Sequence, residues 1–358
     1  MMEVVRVAYT LEQCWHRVPG GTGVAALRTA EAMDGLADIE LIGVTGRHGS
    51  APHAEWMPTI PWRELPIASP WLYESWLYLD RPRPESVTGP VDVVHATTLI
   101  PCPTRKPLVV TLHDLAFLHR PEQFTRHGNR IFRRSLTLIK RWADLVLCCS
   151  QATLDDCLAA GLPADRLRHV PLGVEFEHAT PADIHRVRTD YTLPERYLLF
   201  VGTVEPRKNL KRLTEAIQLL DDPLPLVVAG AEGWGDAAAD VTGDVRFLGF
   251  VPIHDLWALY AGAHAFCYPS VHEGYGLPVL EAMAQGTPVV TSMDTATEEA
   301  ADGAAVLVDP NDTEDIARGI TEAIDRRAEL AGKGRHRVAQ ATWHNTAELT
   351  LAAYRELG

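Results

Sequence analysis

The sequence predicts an α/β protein of two Rossmann-like domains, and three observations support this. The chain has 358 residues, which is too long for one typical hydrophobic core and fits two domains. Short β-branched runs alternate with helical patterns in both halves, as in parallel sheets built from βαβ units. Residues 174–195, between the halves, are polar and lack sustained apolar periodicity. We therefore predict a first domain over 1–173, a linker over 174–195, a second domain over 196–338, and a C-terminal helix over 339–358 that packs back on the first domain.

Six strands are predicted in each half. The candidates in the first half are VVRVAYT, IELIGVT, VDVVHAT, PLVVTLHD, ADLVLCCS and LRHVPLGV. The candidates in the second half are YLLFVGT, LPLVVAG, VRFLGF, HAFCYPS, TPVVTS and AAVLVDP. Residues 47–90 interrupt this regular pattern, because they are rich in Pro and Trp and longer than a typical βα connection. Long loops in compact domains are often functional, which makes this segment a candidate part of a binding surface.

Composition and termini narrow the class of protein. The net charge of -14 argues against a general nucleic-acid binder. The start MMEVVRVAYT lacks the cationic region and cleavage site of a signal peptide, and no apolar run reaches the roughly 20 residues that span a bilayer. The six cysteines show no metal-binding spacing and lie mostly in apolar runs, so they are predicted to be reduced core residues. We expect a cytoplasmic protein.

The stretch HEGYGLPVLEAMAQGTPVV, residues 272–290, places two glutamates around a glycine-rich helix start. The run AHAFCYPS before it is a strand candidate. Pro278 suits the first turn of a helix that Gly286 ends. Glu273 then lies on the loop and Glu281 on the helix, so the two carboxylates are not two faces of one helix.

The start of that helix predicts a phosphate cradle. Amides at a helix N-terminus bind anions without a side-chain charge, and glycines permit close approach of the backbone. Carboxylates repel phosphate but accept hydrogen bonds from hydroxyls, so the arrangement fits a diphosphate flanked by polyols, as in a nucleoside diphosphate sugar. One glutamate would hold the sugar and the other the ribose. The cradle residues are Gly274, Tyr275, Gly276 and Leu277.

The stretch FVGTVEPRKNLKRL supplies the compensating cations. A strand ends at Gly202, a loop carries Arg207 and Lys208, and a helix follows. Ligands bind at the carboxyl ends of strands in open α/β sheets. Taken singly, Glu281 is a helix-dipole glutamate and the two cations are a solvated loop. Taken together, these residues favour a ligand site.

These motifs, with LVVAGAEGWG, RFLGFV and PVVTS in the same order, resemble the donor-binding domain of the family 4 (group 1) retaining glycosyltransferases. The resemblance covers nearly the whole chain and is most specific over 198–310. Within the family, the chain loosely resembles bacterial mannosyltransferases. It implies the GT-B fold, in which two Rossmann-like domains face a cleft. It also implies that Glu281 holds the ribose, that Glu273 contacts sugar hydroxyls, and that Arg207 and Lys208 neutralise the diphosphate.

The chain departs from the family at one position. Thr203 stands where many members carry an arginine, directly after Gly202. One phosphate contact of the family is therefore in question here, and Lys208 is the stronger candidate for holding the diphosphate.

The first domain carries the glycine loop PGGTGVAAL. As a dinucleotide fingerprint it fails, because a polar loop separates Thr10 from Gly20 and IELIGVTG lacks a terminal acid for ribose. The resemblance implies instead that Gly20, Gly21 and Gly23 let this loop approach the donor diphosphate from across the cleft.

The stretch LVVTLHDLAF places His113 at the carboxyl end of a strand. A lone histidine is more often structural than catalytic, but ligands bind at this edge of a sheet. Members of the family carry a functionally important histidine here, near the donor sugar. The resemblance therefore implies that His113 orients that sugar.

The resemblance implies transfer of a hexose from a GDP- or UDP-sugar to a carbohydrate or glycolipid hydroxyl, with retention at the anomeric carbon. GDP-mannose and UDP-glucose are both candidate donors. The aromatic segment around Trp71, Tyr73 and Trp76 is consistent with either a sugar-binding surface or buried core. The chain has no D-x-D pair, so we expect neither a metal ion nor another cofactor. The alternatives are an epimerase or phosphorylase of the same fold, a nicotinamide-dependent dehydrogenase, and a non-catalytic module that binds sugar nucleotides.

Segment 120–141 is basic within an acidic protein. The ordinary interpretation is a solvated helix face. The second interpretation is a docking surface for an anionic acceptor or lipid headgroup, which would place the protein peripherally on the inner face of the membrane. The basic residues are Arg120, Arg126, Arg130, Arg133, Arg134, Lys140 and Arg141.

Overall fold

The fold was obtained as a computed structural model. It describes residues 4–16, 19–69, 71–231 and 240–358. The chain divides into two compact units. The first comprises Met1–Gly173 and Trp343–Gly358, and the second comprises Val174–Thr342.

A parallel sheet of seven strands forms the centre of the first unit. Its strands are β1 (Val5–Thr10), β2 (Ile39–Thr45), β3 (Trp62–Glu64), β4 (Val93–Ala96), β5 (Leu108–Leu112), β6 (Leu145–Cys148) and β7 (Leu167–His169). They are arranged in the order β3-β2-β1-β4-β5-β6-β7, and every pair is parallel. The order reverses between β1 and β4, as in a doubly wound fold.

A parallel sheet of six strands forms the centre of the second unit. Its strands are β8 (Leu198–Val201), β9 (Leu226–Ala229), β10 (Val245–Gly249), β11 (Ala265–Tyr268), β12 (Val289–Ser292) and β13 (Val306–Val308). They are arranged in the order β10-β9-β8-β11-β12-β13, again with every pair parallel. The order reverses between β8 and β11, which places a switch point beside two strands whose residues are all buried.

Helices follow the strands in both units. In the first unit they are α1 (Gly20–Asp34), α2 (Trp71–Leu79), α3 (Glu85–Thr88), α4 (Ala116–His119), α5 (Arg126–Trp142), α6 (Gln151–Ala159) and the C-terminal helix, which we number α14 (Trp343–Arg355). In the second unit they are α7 (Pro181–Asp190), α8 (Leu210–Ile217), α9 (Ile253–Gly262), α10 (Leu277–Ala284), α11 (Ala296–Ala301), α12 (Thr313–Asp325) and α13 (Arg327–Gln340).

Each of the twelve predicted runs contains one strand, and the strand that the prediction missed is β3. This strand has only three residues, and none of them is buried. It pairs with β2 from Gly43↔Trp62 to Thr45↔Glu64 at the edge of the sheet. A run so short and exposed lacks the alternating or continuous apolar pattern that marks a strand in a sequence.

The segment over 47–90, predicted as an irregular loop, contains β3, α2 and α3. Trp76 is 1% exposed and belongs to the apolar core that lies beneath α2 and α5. Its indole Nε1 donates to the carbonyl oxygen of Pro82 at 2.9 Å. The buried-core interpretation is thus correct for Trp76, whereas Trp71 on the same helix is exposed.

Residues 174–195, predicted as a linker, are part of the second unit and contain α7. Thr180 and Asp183 form a capping box at its start, with Pro181 in the first turn. Arg186 on α7 forms an ion pair with Asp255 of α9 at 2.7 Å. The linker prediction was wrong because α7 has only one fully buried residue, Val187. A single buried residue does not produce the periodic apolar pattern by which a helix is recognised in a sequence.

The C-terminal helix α14 completes the first unit. Ala347, Leu351 and Tyr354 of α14 pack with Ala26 and Met33 of α1 in one apolar cluster.

Tyr354 also makes a polar contact beneath this cluster. Its hydroxyl lies 2.6 Å from Nδ1 of His95 on β4, and Nε2 of the same ring lies 2.7 Å from Thr111 Oγ1. Burial, assisted by His113, lowers the pKa of His95 to about 3, so the ring stays neutral.

The cysteines are all buried and free, as predicted. Among the described residues, no helix combines the length and the apolar character needed to cross a membrane.

The substitution Tyr354→Phe is expected to destabilise the first unit by about 1–3 kcal/mol, because His95 Nδ1 would be left buried without its partner. Denaturant unfolding measures this change. Tyr78→Phe is the matched control, since Tyr78 is 48% exposed in the same unit. Equal free energies of unfolding for the two variants would contradict a structural role for the His95–Tyr354 hydrogen bond.

Candidate functional site

Glycines end three neighbouring strands of the second sheet. Gly202 follows β8 with φ of +146°, Gly230 follows β9 with φ of +150°, and Gly249 ends β10 with φ of +69°. A Cβ atom on Gly230 would lie 2.1 Å from the carbonyl oxygen of Gly202. Only glycine fits there, because the backbones of two strand ends pass against each other. Backbone atoms therefore line this part of the carboxyl edge of the sheet.

The loop after β8 is fixed by one asparagine. Residues Pro206–Lys208 form a single 3-10 turn, and Asn209 follows in the left-handed region with φ of +62°. The amide nitrogen Nδ2 of Asn209 donates to the carbonyl oxygens of Pro269 at 2.9 Å and Pro310 at 2.7 Å. The side chain ties the loop after β8 to the ends of β11 and β13, so the cations on this loop have a fixed position.

Arg207, Lys208 and Glu273 meet at the switch point of the second sheet. Glu273 Oε2 accepts a hydrogen bond from Arg207 Nη1 at 2.7 Å, and Glu273 Oε1 lies 2.7 Å from Lys208 Nζ. Arg207 Nε also donates to Glu205 Oε2 at 2.8 Å. The four charges balance to zero, and Glu205, Lys208 and Glu273 are each less than 9% exposed. We call these four residues the ion cluster.

Tyr268, the last residue of β11, completes the surroundings of Lys208. The ammonium group lies 4.6 Å from the centre of the Tyr268 ring and contacts the Tyr268 hydroxyl. Gly202 lies on the other side, where a Cβ atom would be 3.6 Å from Lys208 Nζ. The ammonium is thus enclosed between an aromatic ring, a carboxylate and a glycine backbone.

The pKa values of the ion cluster follow from burial and neighbouring charge. Burial alone would raise the pKa of Glu273, but Arg207 and Lys208 outweigh it and lower the pKa to about 2. Burial lowers the pKa of Lys208, and the charge of Arg207 adds to that shift while Glu273 opposes it. Glu273 is therefore ionised at neutral pH, held by two cations rather than by water.

Helix α10 begins beside the ion cluster. Gly276 caps it with φ of +119°, and a Cβ atom there would lie 3.1 Å from Thr297 Cγ2. Pro278 has no amide hydrogen, and Val279 N donates to the carbonyl oxygen of Gly276 at 2.9 Å. These two features remove two amides from the first turn. The predicted cradle, residues 274–277, lies entirely before Pro278, so neither feature uses an amide of the cradle.

Glu281 lies on α10 and accepts a hydrogen bond from the Tyr260 hydroxyl at 2.8 Å. Burial raises the pKa of Glu281 to about 6, although the hydrogen bond from Tyr260 opposes the shift. Tyr260 packs edge-to-face on Phe266, and Phe266 stacks on Tyr268, with ring centres 5.3 and 5.5 Å apart. The two glutamates thus contact opposite ends of one buried aromatic row, but only Glu273 faces cations.

The glycines Gly20, Gly21 and Gly23, predicted to form a loop, are instead the first turn of α1. Gly20 has φ of +61°, and a Cβ atom on Gly23 would lie 2.5 Å from Pro19 Cβ. The loop prediction was wrong because the glycine at position 23 is required by close packing of Pro19 on the first turn of a helix, and not by a loop conformation. Their approach to a donor diphosphate stays a prediction.

His113 follows β5 and is half-buried. Its Nε2 donates to the carbonyl oxygen of Thr97 at 3.2 Å, so the neutral ring offers Nδ1 as an acceptor. Burial lowers the pKa of His113, which favours this neutral form. The ring borders a cavity of about 20 Å³ within the first unit, together with Tyr9, His95 and Thr111. That volume is enough for one water molecule.

Sequence reasoning missed three residues of the second unit that contact the predicted ones. Glu205 pairs with Arg207, Tyr268 contacts Lys208, and Tyr260 donates to Glu281. Glu205 lies two positions before Arg207, which is the one signal that could have suggested it. In the motif LVVAGAEGWG, residues 232–235 lie outside the described residues.

Two family models match the chain. The model described as Glycosyltransferase Family 4 matches residues 19–178, and the model described as Glycosyl transferases group 1 matches residues 183–342. O-antigen chain mannosyltransferase B of Escherichia coli is 35% identical over 267 residues, which are 70% of each chain. Serotype-specific mannosyltransferase WbdA of Escherichia coli is 29% identical over 276 residues, which are 70% of this chain and 33% of that protein. The chain therefore spans about a third of the length of WbdA.

Solved structures match the whole chain. HepE of Anabaena, solved in complex with UDP and glucose, has a TM-score of 0.75 at 19% identity and covers 99% of this chain and 100% of its own. Sucrose-phosphate synthase of Thermosynechococcus elongatus has a TM-score of 0.75 at 21% identity, with 99% of both chains covered. These matches confirm the predicted GT-B fold of two Rossmann-like domains.

The substitution Glu273→Gln is expected to destabilise the second unit by about 3–5 kcal/mol at pH 7, because two buried cations lose their shared carboxylate. Glu273 has a lowered pKa in the folded state, so its contribution is present above the unfolded pKa of 4.5 and is lost as pH falls toward 2. Denaturant unfolding at several pH values measures both effects.

Glu314→Gln is the matched control, because Glu314 is exposed in the same unit. The gap between wild type and Glu273→Gln should narrow below pH 4.5, whereas the control should stay within about 0.5 kcal/mol. A gap that widens in acid would show that Glu273 is not held in its ionised form by these cations.

Proposed function

This chain belongs to the group 1, family 4 glycosyltransferases, and from that premise we propose that it moves a mannosyl group from a GDP-linked donor to a hydroxyl of a glycan. The observation that carries the donor site is the ion cluster at the switch point between β8 and β11. Ligands of open α/β sheets bind at such points. Mannose is supported by the relatives named as O-antigen mannosyltransferases. UDP-glucose is the second candidate donor, supported by the bound UDP-glucose of the HepE structures.

We propose that the donor diphosphate takes over the cations now paired with Glu273. Arg207 and Lys208 each contact one carboxylate oxygen of Glu273 at 2.7 Å, so both cations have a partner that a phosphate oxygen can replace. Glu205 keeps hold of Arg207 Nε during the exchange. Glu273, released from its cations, can accept hydrogen bonds from hydroxyls of the donor sugar. One event would thus bind the phosphates and prepare the sugar contact.

Glu281 is proposed to hold the ribose. Its carboxylate already accepts from Tyr260, and the remaining oxygen can accept from a ribose hydroxyl. With a pKa of about 6, Glu281 is ionised at neutral pH and gains its proton in mild acid. The ionised form accepts two hydroxyl hydrogens, so donor binding should weaken as pH falls below 6.

The proposed reaction is substitution with retention. The bond between the anomeric carbon and the diphosphate oxygen breaks, and a bond from the acceptor oxygen forms on the same face of the sugar. The acceptor proton passes to the departing phosphate oxygen. Lys208, Arg207 and the amides before Pro278 would stabilise the negative charge that grows on the diphosphate. In this proposal Nδ1 of His113 accepts a hydrogen bond from a hydroxyl of the donor sugar.

Peripheral contact with a membrane is part of the proposal. The seven basic residues of segment 120–141 are all exposed, which is consistent with either a solvated face or a docking surface. The relatives reported above are named as mannosyltransferases, and they give no support to the epimerase, phosphorylase or binding-module alternatives. The carbohydrate or glycolipid acceptor is proposed by analogy with enzymes of O-antigen synthesis.

A thermal-shift screen of GDP, UDP and ADP with their sugars tests the donor site. One nucleoside diphosphate should raise the unfolding midpoint of the wild type, by an amount equivalent to about 2.7 kcal/mol at one hundred times its Kd. Lys208→Ala should bind it about 10- to 100-fold more weakly, because a charge-assisted contact is lost. Lys211→Ala is the matched control, since Lys211 is 58% exposed and lies three residues further along the chain.

Equal shifts in wild type and Lys208→Ala would remove Lys208 from the donor site. No shift with any nucleotide at millimolar concentration would overturn the donor-site assignment as a whole. Transfer of radiolabelled mannose from GDP-mannose to a mannose-ended acceptor then tests the activity itself.

The absence of a D-x-D pair leads us to expect activity that does not need a divalent ion. Transfer measured by product chromatography should be unchanged within about twofold in excess EDTA, since two cationic side chains can bind the leaving diphosphate. Loss of activity in EDTA that returns with magnesium or manganese would show that a metal assists the leaving group instead.

A further inference from the structure

Three large apolar side chains are exposed together on α2 of the first unit. Trp71 and Leu79 are each 69% exposed, and Tyr78 is 48% exposed. Trp71 and Tyr78 are seven residues apart, two helical turns, so they share one face, and Leu79 follows directly. The opposite face of α2 carries Trp76, which is buried in the core. This helix is therefore well anchored while presenting aromatic and aliphatic surface to solvent.

Helix α5 presents cations to solvent along most of its length. It contains no acidic residue, and its exposed positions repeat at helical spacing over one broad face. The exposed cations of this helix are Arg126, Arg130, Arg133, Arg134, Lys140 and Arg141. Among the described residues, no carboxylate lies within ion-pair distance of Arg126, Arg130, Arg133 or Arg141. Positive charge without acidic partners is unusual on a chain whose net charge is -14.

The two helices lie side by side, so the apolar and the basic surfaces are continuous. Arg134 Nε donates to the carbonyl oxygen of Leu77 at 3.2 Å, and its guanidinium lies 5.7 Å from the centre of the Tyr78 ring. Two turns nearer the start of α5, His127 Nε2 lies 3.6 Å from Glu74 Oε1. Tyr78 thus borders the row of arginines directly. We call the exposed faces of α2 and α5 together the α2–α5 surface.

We propose that the α2–α5 surface docks the protein on an anionic lipid bilayer, with Trp71, Tyr78 and Leu79 in the headgroup layer and the α5 cations against lipid phosphates. The proposal extends the membrane contact proposed above, which assigned only the basic segment, by naming the apolar residues that enter the bilayer. Trp and Tyr favour this interfacial layer, where an aromatic body is buried and its polar tip stays hydrated. Each basic side chain near an anionic surface adds about 1 kcal/mol to binding.

A bilayer fits the surface better than a nucleic acid does. Nucleic-acid surfaces use stacked aromatics within a groove, whereas Leu79 at 69% exposure has no hydrogen-bonding or stacking function. Binding to a bilayer is instead favoured by exposed Leu and Trp next to arginine, which is the composition of helices that lie at membrane interfaces.

Co-sedimentation with vesicles tests the proposal without any need for transferase activity, so failure of the proposed function would not affect the result. The wild type should bind vesicles of phosphatidylcholine and phosphatidylglycerol in equal parts, and bind phosphatidylcholine alone at least tenfold more weakly. Binding should fall at about 1 M salt, where the Debye length is about 3 Å. Failure of the wild type to sediment with the anionic vesicles at low salt would overturn the proposal.

Two variants separate the contributions. The charge variant carries Arg126→Gln, Arg130→Gln, Arg133→Gln and Arg141→Gln, and should bind about 100- to 1,000-fold more weakly. The apolar variant carries Trp71→Ala, Tyr78→Ala and Leu79→Ala, and should bind at least tenfold more weakly at either salt concentration. Both replace exposed residues, and an unchanged thermal midpoint verifies that they fold.

Matched controls come from the second unit. The charge control changes exposed cations that are already paired with carboxylates, namely Arg196→Gln, Lys211→Gln, Arg318→Gln and Lys333→Gln. The apolar control is Leu219→Ala with Phe247→Ala, which are 56% and 44% exposed. Both controls should bind as the wild type does. If the charge control loses as much affinity as the charge variant, attraction is a property of the whole protein, and the α2–α5 surface is not the docking site.

Discussion

The shared carboxylate of Glu273 between Arg207 and Lys208 is the interaction on which the second unit's site depends. Two cations this close and this buried repel each other, and only an anion between them makes the arrangement stable. The rest of the local structure serves the same end. Gly202 allows the ammonium of Lys208 to approach the strand end, and Asn209 holds the loop by two carbonyl contacts. Arg207 and Lys208 thus have the arrangement of a binding site for an anion, and in this structure the anion is the carboxylate of Glu273.

The two glutamates of the E-x7-E element have the same chemistry but opposite electrostatic surroundings. Glu273 faces cations and keeps its charge far into acid, while Glu281 faces a neutral tyrosine and titrates near pH 6. The rings of Tyr260, Phe266 and Tyr268 form a buried aromatic row between them. Environment therefore gives each carboxylate its own role, which suits a ligand that is strongly anionic in the middle and rich in hydroxyls at either end.

Much of the fold could be predicted because the strands at the centre of each sheet are buried on both faces. Such strands are read directly from continuous Val, Ile and Leu runs, as in LLFV of β8 and LVVA of β9. The strand β3 and the helix α7 escaped prediction for the opposite reason, since the first buries no residue and the second buries one. Both are held by backbone pairing and ion pairs, which leave no apolar period.

The residues of the candidate site also differ in whether a sequence pattern marks them. Residues marked by a spacing, namely Glu273, Glu281, Arg207 and Lys208, could be found from the sequence. Their partner Tyr268 could not, because its contact with Lys208 spans 60 residues and depends on the register of β8 beside β11. Glu205 lies only two positions before Arg207 but belongs to no motif that would mark it. The glycines at the start of α1 show the converse error, in which a correct composition was given the wrong local structure.

The return of the chain to the first unit at α14 has a consequence for biosynthesis. On the ribosome, residues 1–173 emerge long before residues 343–358, yet the first unit needs α14 to cover α1 and to give His95 its hydroxyl partner. While the second unit is being synthesised, the first unit therefore lacks α14, and the apolar face of α1 that α14 covers stays exposed. The second unit, by contrast, is continuous in the chain and can fold as soon as it leaves the exit tunnel. The later unit is therefore completed before the earlier one, and the N-terminal half is open to chaperones during about the second half of translation.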